Sequence, residues 1–183
     1  MANLPQQYTW LLNESGPIMI KKALELFDTK EDLSKKNNPT IMAWAKEIGD
    51  KVERVYLADK IPWCGLFMAV VAKRANKQVV KDPLWALNWG TFGIHTTTPM
   101  LGDVLVFIRK DENGNTAGHV SLYVGEDDEC FHVLGGNQSD KVSITRIKKD
   151  RLNTARRPKY NSQPLNVRKI ILETTGIVSN NEQ

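Results

Sequence analysis

Ile61-Pro62-Trp63-Cys64-Gly65-Leu66-Phe67-Met68-Ala69-Val70-Val71-Ala72 is almost wholly apolar and closes with Lys73-Arg74. A run of this length exceeds an ordinary buried strand, and cations suit the C-terminal end of a helix, so it reads as a helix buried on all sides and entered near Cys64. Upstream, residues 18–27 carry apolar side chains at helical spacing behind Pro17, a residue suited to a first helical turn. Asn38-Pro39-Thr40 then gives a start signal for a second, shorter helix that Gly49 stops. Downstream, residues 77–99 hold Trp85, Trp89, Phe92 and His95 among Pro and Gly without a clear period, which predicts a long, aromatic-lined loop. From Gly102 the pattern becomes that of strands: Val104-Leu105-Val106-Phe107, Val120-Ser121-Leu122-Tyr123-Val124, Phe131-His132-Val133-Leu134 and Val142-Ser143-Ile144. Asp111-Glu112-Asn113-Gly114, Gly125-Glu126-Asp127-Asp128 and Gly135-Gly136-Asn137 separate them as turns, giving an antiparallel meander. Helices first and strands afterwards define an α+β domain with the helices on one face of the sheet.

A chain of 183 residues, 41% hydrophobic and 25% charged, suits one core, so residues 1–183 are expected to form a single domain with its core at about residues 15–158 and a polar C-terminal tail. The net charge of +4 favours an anionic partner only mildly, because the basic residues are scattered among 21 acidic ones. Without a clustered basic, aromatic-interleaved stripe, no nucleic-acid partner is expected. The N-terminus has no charged start followed by an apolar run, and no stretch approaches the length of a membrane span. The expectation is a protein made in the cytoplasm without a signal peptide and without membrane insertion. Cys64 and Cys130 do not make a disulfide framework.

The chemistry-bearing candidates follow from these placements. A thiol becomes nucleophilic as the thiolate, which a helix N-terminus or an imidazolium favours, and Cys64 falls in the first turn of the apolar helix. Taken by itself it also reads as a small buried hydrophobe. His119, in Ala117-Gly118-His119-Val120, stands at the head of a strand that can face the helix. A third polar group must fix its tautomer, and Asn137, after the neighbouring strand, is the candidate, with Gln138 as substitute. His132 lies mid-strand and Asp103 leads into a strand as a turn residue. Cys64, Cys130, His119 and His132 lack the short paired spacing of a zinc site, so no metal and no cofactor are expected.

Taken together, Asn37-Asn38-Pro39, Trp44-Ala45-Lys46, Pro62-Trp63-Cys64-Gly65, Trp89-Gly90, Gly102-Asp103-Val104, Gly118-His119-Val120 and Leu134-Gly135-Gly136-Asn137-Gln138 resemble the CHAP and NlpC-type superfamily of peptidoglycan amidohydrolases and endopeptidases, in its small bacterial and phage members. The resemblance spans most of residues 15–158. It implies a papain-like fold, with Cys64 as nucleophile, His119 as base and Asn137 as the residue orienting the imidazole. It further implies an enzyme that cleaves an amide bond of peptidoglycan, as a phage lysin or an antibacterial effector acting on the wall after release or delivery. Trp63, Trp85, Trp89 and Gln138 are then expected to contact substrate. The chain is expected to act as a monomer, with an immunity protein as partner if it is a toxin. A catalytically inactive wall-binding or phage structural domain of the same fold is the rival expectation.

Overall fold

The computed structural model describes residues 3–34, 36–110, 114, 116–174, 176 and 178–179. The turn residues Asp111, Glu112 and Asn113 lie outside the described residues, as does most of the polar tail beyond residue 176. The architecture is α+β, with helices preceding six antiparallel strands in one sheet.

Four helices come first: α1 (Ile18–Leu24), α2 (Pro39–Ile48), α3 (Asp50–Glu53) and α4 (Cys64–Arg74). Helix α2 starts where the sequence places a cap. The Asn38 side chain accepts the N–H of Thr40 at 2.7 Å and of Ile41 at 3.4 Å, and Pro39 follows it. Gly49, at φ 131°, ends α2 and opens the unforeseen single turn of α3. Helix α1 is shorter than the apolar spacing suggests, because the chain turns away at Asp28 (φ 64°). Residues 28–31 instead bond to residues 140–142: Asp28 N–H donates to Val142 O, Val142 N–H to Thr29 O and Glu31 N–H to Asp140 O.

Helix α4 is the anchor of the molecule, buried at every position from Cys64 to Ala72. Its five large apolar side chains, Leu66, Phe67, Met68, Val70 and Val71, are fully buried. At about 1.5–3 kcal/mol each, they contribute on the order of 10 kcal/mol before conformational entropy is set against it.

The strands are β1 (Ile94–Thr96), β2 (Val104–Lys110), β3 (Thr116–Glu126), β4 (Cys130–Gly135), β5 (Ser143–Lys148) and β6 (Leu152–Arg157), in the order β1-β6-β2-β3-β4-β5. The expected meander is β2 to β5. Strand β6 then returns to the free side of β2, and β1, formed inside the segment expected to be a loop, pairs outside it. That segment also contains a 3-10 helix, Ala86–Thr91. Side chains alternate across the sheet. Val104, Val106, Val120, Leu122, Val124 and Leu134 share one core with the helices. Leu105, Phe107, Tyr123, Val133 and Ile147 form a second core that Ile170 covers. Backbone bonds from Glu126 N–H to Ile170 O and from Leu172 N–H to Glu126 O fasten that C-terminal stretch to the sheet. Among the described residues no helix is long and apolar enough to cross a membrane.

Candidate functional site

Cys64 is the first residue of α4, and Trp63 stands in the cap position without a capping side chain. The start of the helix is fixed by packing instead. The Trp63 ring lies 5.9 Å from that of Trp44, which in turn lies 6.3 Å from Phe67. The indole N–H of Trp63 donates to Glu31 Oε1 at 2.7 Å. Burial pushes the Glu31 carboxyl up, and the bond from Trp63 opposes that shift. Because Glu31 also bonds through its backbone to Asp140, one residue ties the start of α4 to the segment that follows Gln138. No acidic side chain occupies the first turn of α4, so nothing there opposes the positive end of the helix dipole.

His119 lies on β3 opposite Phe107 of β2, and is 1% exposed. Its Nε2 is 3.0 Å from Gln138 Oε1. The other end of that amide is committed: Gln138 Nε2 donates to Ser143 O at 2.6 Å and to Val133 O at 3.4 Å. Two carbonyls can only accept, so the amide nitrogen faces them and the amide oxygen faces the imidazole. His119 Nε2 must then carry the hydrogen, which makes Nδ1 the basic nitrogen of the neutral ring.

Asn137 does not take the orienting role expected of it. Its backbone sits at φ 57° in the tight turn after β4, and among the described residues its Oδ1 is buried without a hydrogen-bond partner, as is Ser121 Oγ. The turn sends the following side chain, Gln138, back over Gly135 and Ser121 towards His119; a Cβ built on Gly135 would lie 2.6 Å from Gln138 Oε1 and 2.8 Å from Ser121 Cβ. Gln138 is therefore engaged within the protein and is 2% exposed, where a substrate contact was expected. The same correction applies to Trp63 and Trp89. Both are fully buried, and Trp89 donates its indole N–H to Pro83 O at 2.9 Å. Of the three tryptophans only Trp85 offers a surface, being 66% exposed.

Cys64 opens α4, whereas His119 is the fourth residue of β3 and lies inside the strand, not at the head where the sequence placed it; the same two segments flank both. A Cβ on Gly65 would lie 2.2 Å from Pro83 O, and one on Gly118 would lie 2.8 Å from Leu87. On the other side, a Cβ on Gly136 would lie 2.6 Å from Phe67 Cβ and 2.7 Å from the Trp63 ring, two residues before Gln138. Residues 83–87 and 136–138 thus bracket the start of α4 and residues 118–119 of β3 together. Along β3, His119 and Ser121 alternate with Val120 and Leu122, which join the helix-side core.

A second polar cluster, which the sequence did not single out, lies behind β4. Tyr8 OH is 2.7 Å from His132 Nδ1, and His132 Nε2 is 2.8 Å from Asp127 Oδ2, which also accepts from Arg146 Nε at 2.7 Å. Burial pushes the Asp127 carboxyl up, but the bonds from Arg146, His132 and the N–H groups of Cys130 and Glu129 outweigh it and hold the group well below the usual carboxylate range. Burial lowers His132 despite the opposing carboxylate, so the ring is neutral and bridges Tyr8 to Asp127. Burial likewise pushes the Cys130 thiol up, which suits an inert packing role. Asp103 is the expected turn residue before β2, and its buried carboxylate is held bidentately by Arg157 at 3.0 and 2.8 Å. Among the described residues no group of three or more His, Cys, Asp or Glu side chains could hold a metal ion.

Comparison with protein-family models, with curated proteins and with solved structures returns no match for this chain.

Proposed function

We propose that the chain is a papain-like cysteine hydrolase of the CHAP and NlpC type that cleaves an amide bond of peptidoglycan, either between sugar and peptide or within the peptide stem. The observation that carries this reading is the imidazole of His119, buried and fixed in one tautomer by an amide that is itself locked. Such pre-orientation supports a base whose proton-accepting atom is Nδ1. An uncapped helix start at Cys64, without acidic neighbours in its first turn, supports the companion thiolate. In this mechanism Cys64 Sγ gives its proton to His119 Nδ1 and attacks the amide carbonyl. N–H groups at the start of α4 receive the oxyanion. The C–N bond then breaks as Nδ1 returns the proton to the leaving amine, and water, deprotonated by Nδ1, releases the acyl group from sulfur. The biological setting that fits is a phage lysin or a delivered antibacterial effector, and in the latter case an immunity protein is the expected partner.

Digestion of purified sacculi, with mass spectrometry of the released fragments, tests the reading and identifies the bond. Cys64→Ala and His119→Ala should each abolish release while keeping the fold; full activity in either variant rejects the mechanism. The burial of the pair, with Cys64 4% and His119 1% exposed, favours a second reading: a non-catalytic wall-binding or phage structural domain that retains the fold. Iodoacetamide separates the two, since a catalytic thiolate alkylates rapidly near about pH 6 and an inert buried thiol does not.

A further inference from the structure

An apolar groove of about 780 Å³ lies between the α2–α3 turn and residues 79–85, with Val55, Val80, Leu84 and Trp85 among its walls. Trp85 is 66% exposed and Val55 59% exposed, so neither is held there by the core. The loop that carries the indole is nevertheless rigidly built. Asn88 Nδ2 donates to the carbonyls of Lys81 and Asp82, Trp85 N–H donates to Asp82 O, and Trp89 Nε1 closes on Pro83 O. A large aromatic displayed on a preorganised loop, and not used for packing, is the arrangement of a binding platform. The charged residues along the groove are balanced, Asp50 and Asp82 against Lys51 and Lys81, while the Lys73 ammonium is already bonded to Glu47 O. Such a rim complements a neutral ligand rich in hydroxyl and amide groups better than a polyanion. The groove also adjoins the candidate site, because the Pro83 and Leu84 carbonyls press on Gly65, the residue after Cys64.

We infer that this groove is a glycan subsite, in which the indole of Trp85 stacks on the apolar face of an N-acetylated pyranose and the rim bonds its hydroxyl and amide groups. The inference rests on the peptidoglycan reading for the identity of the sugar. It does not rest on catalysis. A sugar held on Trp85 lies along a wall that ends at the start of α4, so the subsite would set the glycan strand while the peptide amide approaches Cys64.

The probe is chitotetraose, a β-1,4-linked tetramer of N-acetylglucosamine that carries no peptide amide. Titration into the wild-type chain, followed by calorimetry and indole fluorescence, should show saturable binding. Trp85→Ala should weaken it by about tenfold, the equivalent of one lost aromatic contact, and Trp85→Tyr should restore most of it. Because the side chain is exposed, the variants should melt as the wild type does. Absence of binding by the wild type, or equal binding by Trp85→Ala, overturns the inference. So does self-association that Trp85→Ala abolishes in the absence of any sugar binding, since that outcome assigns the groove to a protein partner. Sugar binding without Cys64-dependent release from sacculi would leave the subsite standing and remove the hydrolase. Release without sugar binding would do the reverse.

Discussion

Replacing Gln138 with Ala isolates the step on which the hydrolase reading turns. The substitution removes the acceptor of His119 Nε2–H at 3.0 Å and the donor to Ser143 O at 2.6 Å, at a position 2% exposed. Two polar groups, one buried and one part-buried, lose these bonds, at about 1–3 kcal/mol each, so a loss of about 2–6 kcal/mol in stability is expected by urea denaturation. The effect on chemistry is separable from that loss. A hydrogen bond to a charged imidazolium contributes about 1.5–3 kcal/mol, and without it the cation that pairs with the thiolate is less stable by that amount. Alkylation of Cys64 at about pH 6 should slow by roughly 10- to 150-fold. The assay is the iodoacetamide rate between about pH 5 and 9, with each cysteine mapped by mass spectrometry. Buried Cys130, whose thiol is pushed up, serves as the unreactive reference in the same chain. Gln138→Glu sharpens the test, because a carboxylate still accepts from His119 while losing the donor to Ser143. Its thiolate–imidazolium pair should persist to higher pH even though the protein is less stable. Matching alkylation profiles for the wild type and a folded Gln138→Ala would refute the orienting role and, with it, the assignment of Nδ1 as the base.

Two further predictions come from the groups around that centre. Glu31→Gln keeps an acceptor for the Trp63 indole and should preserve both melting temperature and Cys64 reactivity, whereas Glu31→Ala, which orphans the indole N–H, should lose about 1–3 kcal/mol and slow alkylation; equal behaviour of the two variants would show that the bond does not hold the helix start. Acid should destabilise the fold in two stages: below about pH 6.5 the unfolded chain takes a proton that neutral His132 refuses, and below about pH 3.8 it takes a second that Asp127 refuses, so stability falls through both windows and is recovered as pH rises. Urea midpoints measured across that range decide it, and a midpoint that does not move between about pH 7 and 5 would contradict the neutral, bridging His132.

The parts of this molecule that were legible in its sequence are those in which a local pattern and the tertiary outcome coincide. Asn38-Pro39 caps α2 by its own side chain, and the apolar run from Cys64 becomes a helix buried on every side. The alternation in β2 to β5 survives as a meander because each strand has a neighbour made by an adjacent turn. Strand β6 was not legible for a physical reason. Leu152-Asn153-Thr154-Ala155-Arg156-Arg157 has a single buried side chain, Ala155, and is strand only because β2 and β1 flank it. Pairing of that kind is set by the partner's backbone, and no side-chain period records it.

The candidate site divides along the same line. Cys64 is marked by local context, a helix start, whereas His119, expected at a strand head, lies inside β3, which begins at Thr116. The third residue depends instead on one backbone angle, since a residue at φ 57° in position 137 decides which of two adjacent amides swings over the sheet. Two amides in succession cannot be ranked from composition; the turn ranks them. Glu31 was invisible for a related reason, because its bond to Trp63 joins positions 32 residues apart and is created when residues 28–31 fold alongside residues 140–142. That alignment makes the support of Trp63 and of the turn carrying Gln138 a product of the pairing between residues 28–31 and 140–142. Loosening the pairing at Val142 should therefore disturb Gln138 and Trp63 together, whereas a change confined to either residue would disturb only its own side of the pair.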